Sequence, residues 1–517
     1  MAHRLALAPP SARRRLRTAG LAAVFAAALS LAGLVPPVRS NGFVFPAVSD
    51  AWSLLPFCAL MLLPFAVAPR RLGLAHLDLL ALLSFALALA LLAPARNWPA
   101  ALAFPPLLYL AGRMLSLAGV GRGARWRVER PAPVSLLPVP WLLGGILVLC
   151  AVHVHWAMSS TSVTDVGAAG VHGARQILHG RALYGRAASI AAPGGPAGSG
   201  QASTDTHTDT YGPFNYEAYL PFLALARGQD AARLAAVFFD LLTALLLFCL
   251  AARARGRAEG VLLAYCWLAF PLGIYCDAFA FNDAILAAML VACVLAARSP
   301  VRRGALAAAG VWTKLSPLAL LGLLALRRST ARGSAWRDTG VFAGAFLLAS
   351  SLIFIPVLAH GSLAVFLSRT VGFQSGRPPS GSLWSVLEEV RVRSAGWIEP
   401  ASRVLHGLVA AAAATLALVL PRLITRRDIA GMCAACAAVM LVLEASLGYF
   451  AFSYVVWFAP LVLAAVILRG APTARSSPAS AGSPDRACRE RRVAARDPHP
   501  GQRPAASHPS WKDALPA

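Results

Sequence analysis

The stretch AARLAAVFFDLLTALLLFCLAARARGR, residues 231–257, decides the fold class. From Leu234 to Ala252 its one charged side chain is Asp240, and then Arg253, Arg255 and Arg257 follow in quick succession. A bilayer core about 30 Å thick needs about 20 apolar residues in a helix, so the pattern predicts a membrane span over 231–252. Basic residues crowd the cytoplasmic end of such spans, which orients this one. The whole chain agrees with the stretch. Of 517 residues, 58% are hydrophobic and 13% charged, with a mean hydropathy of +0.64. A soluble domain carries about 25% charged residues, so this chain lacks the polar surface to dissolve.

Outward from that span, apolar runs and arginine clusters alternate. Arg4, Arg13, Arg14, Arg15 and Arg17 place the N-terminus in the cytoplasm. No A-x-A cleavage site follows the first run, so it reads as an uncleaved helix rather than a signal peptide. Spans fit at 18–36, 51–69, 74–93, 99–119 and 139–158, then at 231–252, 259–275, 281–297 and 340–358, and finally at 404–421, 429–447 and 449–468. Residues 304–326 break the alternation, because arginines flank both ends. A re-entrant hairpin with its tip near Lys314-Leu315-Ser316-Pro317 restores it, with Ser316 as N-cap and Pro317 at the first helical position. The expected fold is all-α: a polytopic integral membrane protein of about 12 transmembrane helices plus a re-entrant hairpin. Residues 1–138 read as N-terminal transmembrane helices and 139–468 as the membrane core, with extracytoplasmic loops 159–230 and 359–403. Residues 469–517 read as a disordered basic tail. In the first loop, the apolar piece 214–226 is too short to cross and is expected at the interface. Plasma membrane is the expected location, with both termini cytoplasmic.

A net charge of +25 in a soluble chain would point to nucleic acid. Here the arginines lie between apolar runs, so no nucleic-acid partner is expected and the bilayer is the partner. Cys433 and Cys436 form a CxxC within an apolar run and read as packing residues. Lysine is more telling. Lys314 and Lys512 are the only two, and Lys314 lies inside an apolar segment, where an unpaired ammonium costs at least roughly 2.5–3.5 kcal/mol. An anionic phosphate of a substrate, or a buried acid such as Asp240 or Asp283, would answer that cost; the phosphate is the favoured partner.

The first outer loop opens with a carboxylate, Asp165, at the membrane surface, where a solvated acid at a helix end is the plain alternative to a reactive one. Downstream lie Arg175, Gln176, His179, Arg181 and Tyr184, and then Asp209, Tyr211, Asn215 and Glu217. Asp277, Asn282 and Asp283 fall at the outer end of a span, and Asp240 falls inside another. Intramembrane acids face a cavity or a partner, here either substrate or an Arg or Lys that orients the bundle. Tyr449, Tyr454 and Trp457 read as an aromatic belt, with stacking on sugar or polyprenyl as the alternative.

An ordered set of pieces resembles the GT-C superfamily of membrane glycosyltransferases, and within it glycosyltransferase family 87. The pieces are TDVGAAGVHGARQILHGRALYG (164–185), DTYGPFNYEAYLPF (209–222), FFDLLT (238–243), FNDAILA (281–287), TKLSPLALL (313–321), GFQSGRPPSGSLW (372–384) and YVVWFAPL (454–461). The resemblance covers about residues 139–468. It implies a GT-C-like fold and transfer of a hexose, mannose among the candidates, from a polyprenyl-phosphate donor to a glycan or lipid acceptor outside the cytoplasm. The catalytic acid of the first large loop then falls on Asp165. One carboxylate suffices for an inverting displacement, since it need only take the acceptor's proton. The leaving phosphate needs cations, for which Arg175, His179, Lys314 and Arg377 are the candidates. Tyr184, Asp209, Tyr211, Asn215, Asn282, Asp283, Gln374 and Trp457 complete the expected substrate-binding set. No DxD occurs at Asp165, so no cofactor or metal is expected; Asp205, His207 and Asp209 are the weak metal alternative. A polysaccharide polymerase or ligase, or a transporter, is the rival reading. A transporter would show paired broken segments, and the sequence shows one, at 313–317.

Overall fold

The computed structural model describes residues 23–32, 52–65, 73–92, 98–120, 135–160, 163–185, 209–326, 335–360, 363–377, 379–387, 398–426 and 428–469. Among these residues the fold is helical, without named strands; Ser380 and Tyr449 form an isolated bridge. Every expected span contains a helix. Among the described residues four helices are long and apolar enough to cross a membrane: Val139–Ser159, Gln229–Ala254, Arg403–Leu423 and Ile429–Ser446. Arg257–Leu268 and Pro271–Ala278 together form a fifth, bent by 53°. Proline explains the bend: Pro271 lacks the N–H that would continue the first helix and instead starts the second. This is a second broken segment that apolar run length alone did not reveal. Other helices, such as Asp283–Leu295 and Val455–Ile467, have 13 residues each. At 1.5 Å per residue such a helix rises about 20 Å, short of a bilayer core.

Side-chain contacts sort the helix ends into two groups that match the expected alternation. At one end, Thr425 donates to the Gly119 carbonyl at 2.9 Å and Arg255 donates to the Arg469 carbonyl at 2.8 Å. Asp78 joins this end, bonded by Tyr109 at 2.8 Å and Arg113 at 3.1 Å, with Arg469 at 3.6 Å. A buried acid thus carries its own cations, and it ties N-terminal helices to the end of the core. At the other end, the Thr164 amide donates to the Phe279 carbonyl at 2.9 Å, Arg233 to the Ser160 carbonyl at 2.8 Å and His406 to the Ser446 carbonyl at 2.7 Å.

The 304–326 segment folds as the hairpin reading requires. The Pro300–Thr313 helix stops at Lys314, and Ser316–Leu320 and Leu321–Ala325 form the return limb. Gly304 lies against Phe342, and Trp312 donates to Ser350 Oγ at 2.7 Å, so 300–313 runs parallel to the Ala335–Ile353 helix. Thr339, near the start of that helix, donates to the Ala325 carbonyl at 3.1 Å. Both limbs therefore end on the same side. The capping differs from expectation. Ser316 is the first residue of the 3₁₀ turn, and its buried Oγ has no partner. Two labelling sites test the hairpin in intact cells. Ser203→Cys should react with an impermeant thiol reagent from outside and Ser329→Cys should not; both positions lie outside the described residues.

The apolar piece of the first loop forms two short helices, Pro213–Glu217 and Leu220–Leu225, that pack against the Asp165–Leu178 helix. Gly170 and Gly173 permit that approach, since a Cβ would fall 2.2 Å from the Tyr219 and Tyr216 rings respectively. Cys433 and Cys436 are buried in the apolar core, as expected of packing residues. Beyond Arg469 the expected tail lies outside the described residues.

Candidate active site

Thr164 caps the Asp165–Leu178 helix by accepting from the Gly167 amide at 3.4 Å, and Asp165 opens its first turn. Asp165 is half-buried and its Oδ1 accepts from the Val166 amide at 2.9 Å. The helix start is docked on the turn between Ala278 and Asp283. Besides the Thr164–Phe279 bond, Gly167 faces the Ala280 carbonyl so closely that a Cβ would lie 2.4 Å from it. Ala280 takes φ 54°, a left-handed conformation that costs an L residue about 1–2 kcal/mol. The strained turn carries Asn282 and Asp283 into the next helix. Asn282 Nδ2 donates to Asn215 Oδ1 at 2.7 Å, in a fully buried pair.

Lys314 is the centre of the arrangement. At the hairpin tip its Nζ donates to Asp283 Oδ1 at 2.5 Å, and Trp457 Nε1 donates to the same oxygen at 2.5 Å. The ammonium faces three rings, 5.0 Å from Trp457, 5.1 Å from Tyr454 and 5.8 Å from Tyr211. Tyr454 and Trp457 stack at 4.2 Å. For Trp457 the belt reading is corrected: it is 3% exposed and turns inward to the lysine, whereas Tyr449 and Tyr454 are half-buried. Arg377 joins the cluster through the rings: its guanidinium lies 3.4 Å from the Tyr449 ring centre, and the Tyr449 and Tyr454 rings lie 6.1 Å apart.

The 209–216 segment supports the site from the side. Asp209 is buried, accepts from the Gly185 amide at 2.9 Å and has Arg369 at 3.6 Å. Tyr184 donates to the Tyr211 carbonyl at 2.8 Å from a buried position. Tyr184 therefore holds Tyr211 in place rather than facing a ligand. Gly212 rests on the backbone of Trp312, two residues before Lys314, where a Cβ would lie 2.0 Å from a carbonyl oxygen. Gly212→Ala is expected to cost about 1–3 kcal/mol by overpacking and to draw Tyr211 away from Lys314. A lowered thermal midpoint together with weaker ligand binding would show it. On the same segment, burial pushes the Glu217 carboxyl up to about 7.

Three expected residues stay outside this cluster. Arg175, His179 and Gln374 are exposed, and His179 Nδ1 donates to the Arg175 carbonyl at 2.7 Å, closing its own helix. Asp240 and Asp277 also stand apart, and their partner is neither Arg nor Lys. His153 Nδ1 lies 2.6 Å from Asp277 Oδ2 and 3.3 Å from Asp240 Oδ2, while Nε2 meets the Leu268 carbonyl at 2.9 Å. A carbonyl can only accept, so Nε2 carries a proton. These three residues offer metal-ligand atoms within 4.8 Å of one another. Yet ligands on bonds of about 2.0–2.2 Å around one ion stand roughly 3 Å or more apart, so the 2.6 Å pair is a hydrogen bond. We read the triad as a proton-bridged tie between three helices. His153 carried no signal in sequence: a histidine within an apolar run reads as packing. Of the weak metal alternative, Asp205 and His207 lie outside the described residues.

The polar atoms left over point to what the Lys314 site takes. Asp283 Oδ2, Asn282 Oδ1, Asn215 Nδ2, Ser316 Oγ and both Glu444 oxygens are buried without a hydrogen-bonding partner among the described residues. Native proteins leave few such groups, because each costs about 1–3 kcal/mol. Acceptors, a donor, a cation and stacked rings in one place suit a polyhydroxylated, anionic ligand.

Residues 210–448 match the family model of glycosyltransferase family 87. The chain is a glycosyltransferase. No curated protein matches the chain. The matched region of the glycosyltransferase includes Tyr211, Asn215, Asn282, Asp283, Lys314, Gln374 and Arg377. Asp165, Arg175, His179, Tyr184, Asp209 and Trp457 lie outside it.

Proposed function

We propose that the enzyme moves a hexose from a polyprenyl-phosphate donor to a glycan or lipid acceptor on the extracytoplasmic side of the plasma membrane, by a single inverting displacement. The supporting observation is Lys314: a cation at the tip of a buried hairpin, framed by Tyr211, Tyr454 and Trp457. A water-soluble donor would not need its phosphate site among apolar helices, whereas a lipid-linked donor brings its phosphate to that depth. Lys314 has three N–H donors, and Asp283 uses one. The others can meet phosphate oxygens as the sugar leaves, with Arg377 as the second cation. Asp165 acts as base on the acceptor hydroxyl, its helix held to the 279–283 turn that also carries Asp283.

No step in this reading requires a metal, because lysine and arginine supply the positive charge. The experiment is direct: purified protein in lipid is offered a panel of polyprenyl-phosphate sugars, and sugar release is followed with and without candidate acceptors. Release from one polyprenyl-phosphate hexose is expected. Transfer from a nucleotide sugar, and from no lipid-linked one, would overturn the donor assignment. Release coupled to joining of whole glycans would favour the polymerase or ligase reading.

A further inference from the structure

Glu444 takes no part in the chemistry above, and among the described residues neither of its buried carboxyl oxygens has a hydrogen-bonding partner. It lies in the last turn of the Ile429–Ser446 helix and is 2% exposed. Both carboxyl oxygens are buried without a hydrogen bond. The polar groups around that helix end are engaged elsewhere. Trp384 Nε1 donates to the Ala445 carbonyl at 3.0 Å, Ser446 Oγ to the Leu443 carbonyl at 2.6 Å, and His406 to the Ser446 carbonyl. Lys314 is bonded to Asp283. The Ile429–Ser446 helix packs against the Ser316–Leu320 turn that follows Lys314, against the Val455–Ile467 helix that carries Trp457, and against the Asp283–Leu295 helix that Asp283 opens. Glu444 therefore belongs to the Lys314 site in space, although some 130 residues separate it from Lys314 in sequence.

A buried carboxyl with both oxygens open is a strong acceptor that lacks donors. A transferred sugar is rich in O–H donors, and neighbouring hydroxyls on one ring can bind the two oxygens of one carboxylate. We propose that Glu444 binds the hydroxyl groups of the donor's hexose and so separates the glycosylated lipid from its sugar-free form. This inference rests on the reading that the lipid-linked donor occupies the Lys314 site. It assigns Glu444 to binding, with Asp165 left as the base.

The test uses full-length protein in lipid nanodiscs and two probes, polyprenyl phosphate and a polyprenyl-phosphate hexose. Glu444→Gln replaces one acceptor oxygen with an N–H donor, and a sugar hydroxyl left unpaired in a buried site costs enough that the hexose lipid should weaken at least about tenfold. Binding of sugar-free polyprenyl phosphate should stay within about twofold, whereas Lys314→Met should weaken both. Equal weakening of both lipids by Glu444→Gln, or none, would overturn the assignment, while the donor reading stands as long as wild-type protein holds both lipids. If wild-type protein holds neither, the donor reading falls and this one with it. Thermal midpoints accompany each variant. Should Glu444→Gln fail to fold, Glu444→Asp carries the comparison: it keeps the carboxyl group and withdraws its oxygens, and the same selective loss is expected.

Discussion

Asp165→Asn is expected to insert and fold, and to lose transfer by about 10²–10⁴-fold, or roughly 3–5 kcal/mol of barrier. The substitution changes little else. Asn keeps an oxygen for the Val166 amide, so the start of the 165–178 helix retains its local bond. The favourable meeting of a charge with the helix N-terminus is lost, about 0.3–1 kcal/mol of stability. The measurement is the rate of sugar transfer in lipid, with a thermal midpoint alongside. Activity within about threefold of wild type would remove Asp165 from the reaction. Glu217→Gln is the informative companion. Burial holds that carboxyl near 7, where a general base is effective, so loss in Glu217→Gln with retention in Asp165→Asn would transfer the role to Glu217.

Lys314→Met is expected to lower both stability and transfer, for separable reasons. The substitution leaves Asp283, 1% exposed, without its cation, and removing one partner of a buried pair costs about 3–5 kcal/mol. Adding Asp283→Asn removes that stranded charge while keeping an acceptor for Trp457 Nε1. The double variant should therefore recover most of the lost thermal stability, a coupling that the mutant cycle reads directly. Transfer should stay about 10²–10³-fold down, because the leaving phosphate still lacks its donor. Recovery of transfer together with stability would show that Lys314 serves only as counter-ion to Asp283. The observed pair does not by itself favour that outcome, since one hydrogen bond to Asp283 leaves two ammonium protons facing aromatic rings.

The two substitutions probe different kinds of inference. Asp165 was legible as a candidate because an acid directly after an apolar run must sit at the membrane surface, and residue order alone says so. The same holds for the helical fold, for every helix along the expected spans, and for the hairpin. Run length, arginine placement and a lysine beside a proline are local facts, and local facts survive in one dimension. Partners are not local. Lys314 could have met phosphate, Asp240 or Asp283 as far as sequence could tell. Helix 283–295 packs antiparallel beside 300–313, with Met289 and Leu286 near Gly310 and Cys293 near Arg303, and that packing brings Asp283 to Lys314. His153, 87 residues before Asp240, became its neighbour through the packing of the 139–159, 229–254 and 271–278 helices. Glu444 was passed over for the same reason, since one acid in an apolar run gives no sign of what surrounds it. Sequence determined which segments form apolar helices, because the cost of leaving water depends on composition summed along a helix. Tertiary structure alone decided which buried charges are answered and which are left open for a ligand, because an ion pair depends on distances of a few ångströms that only helix packing sets.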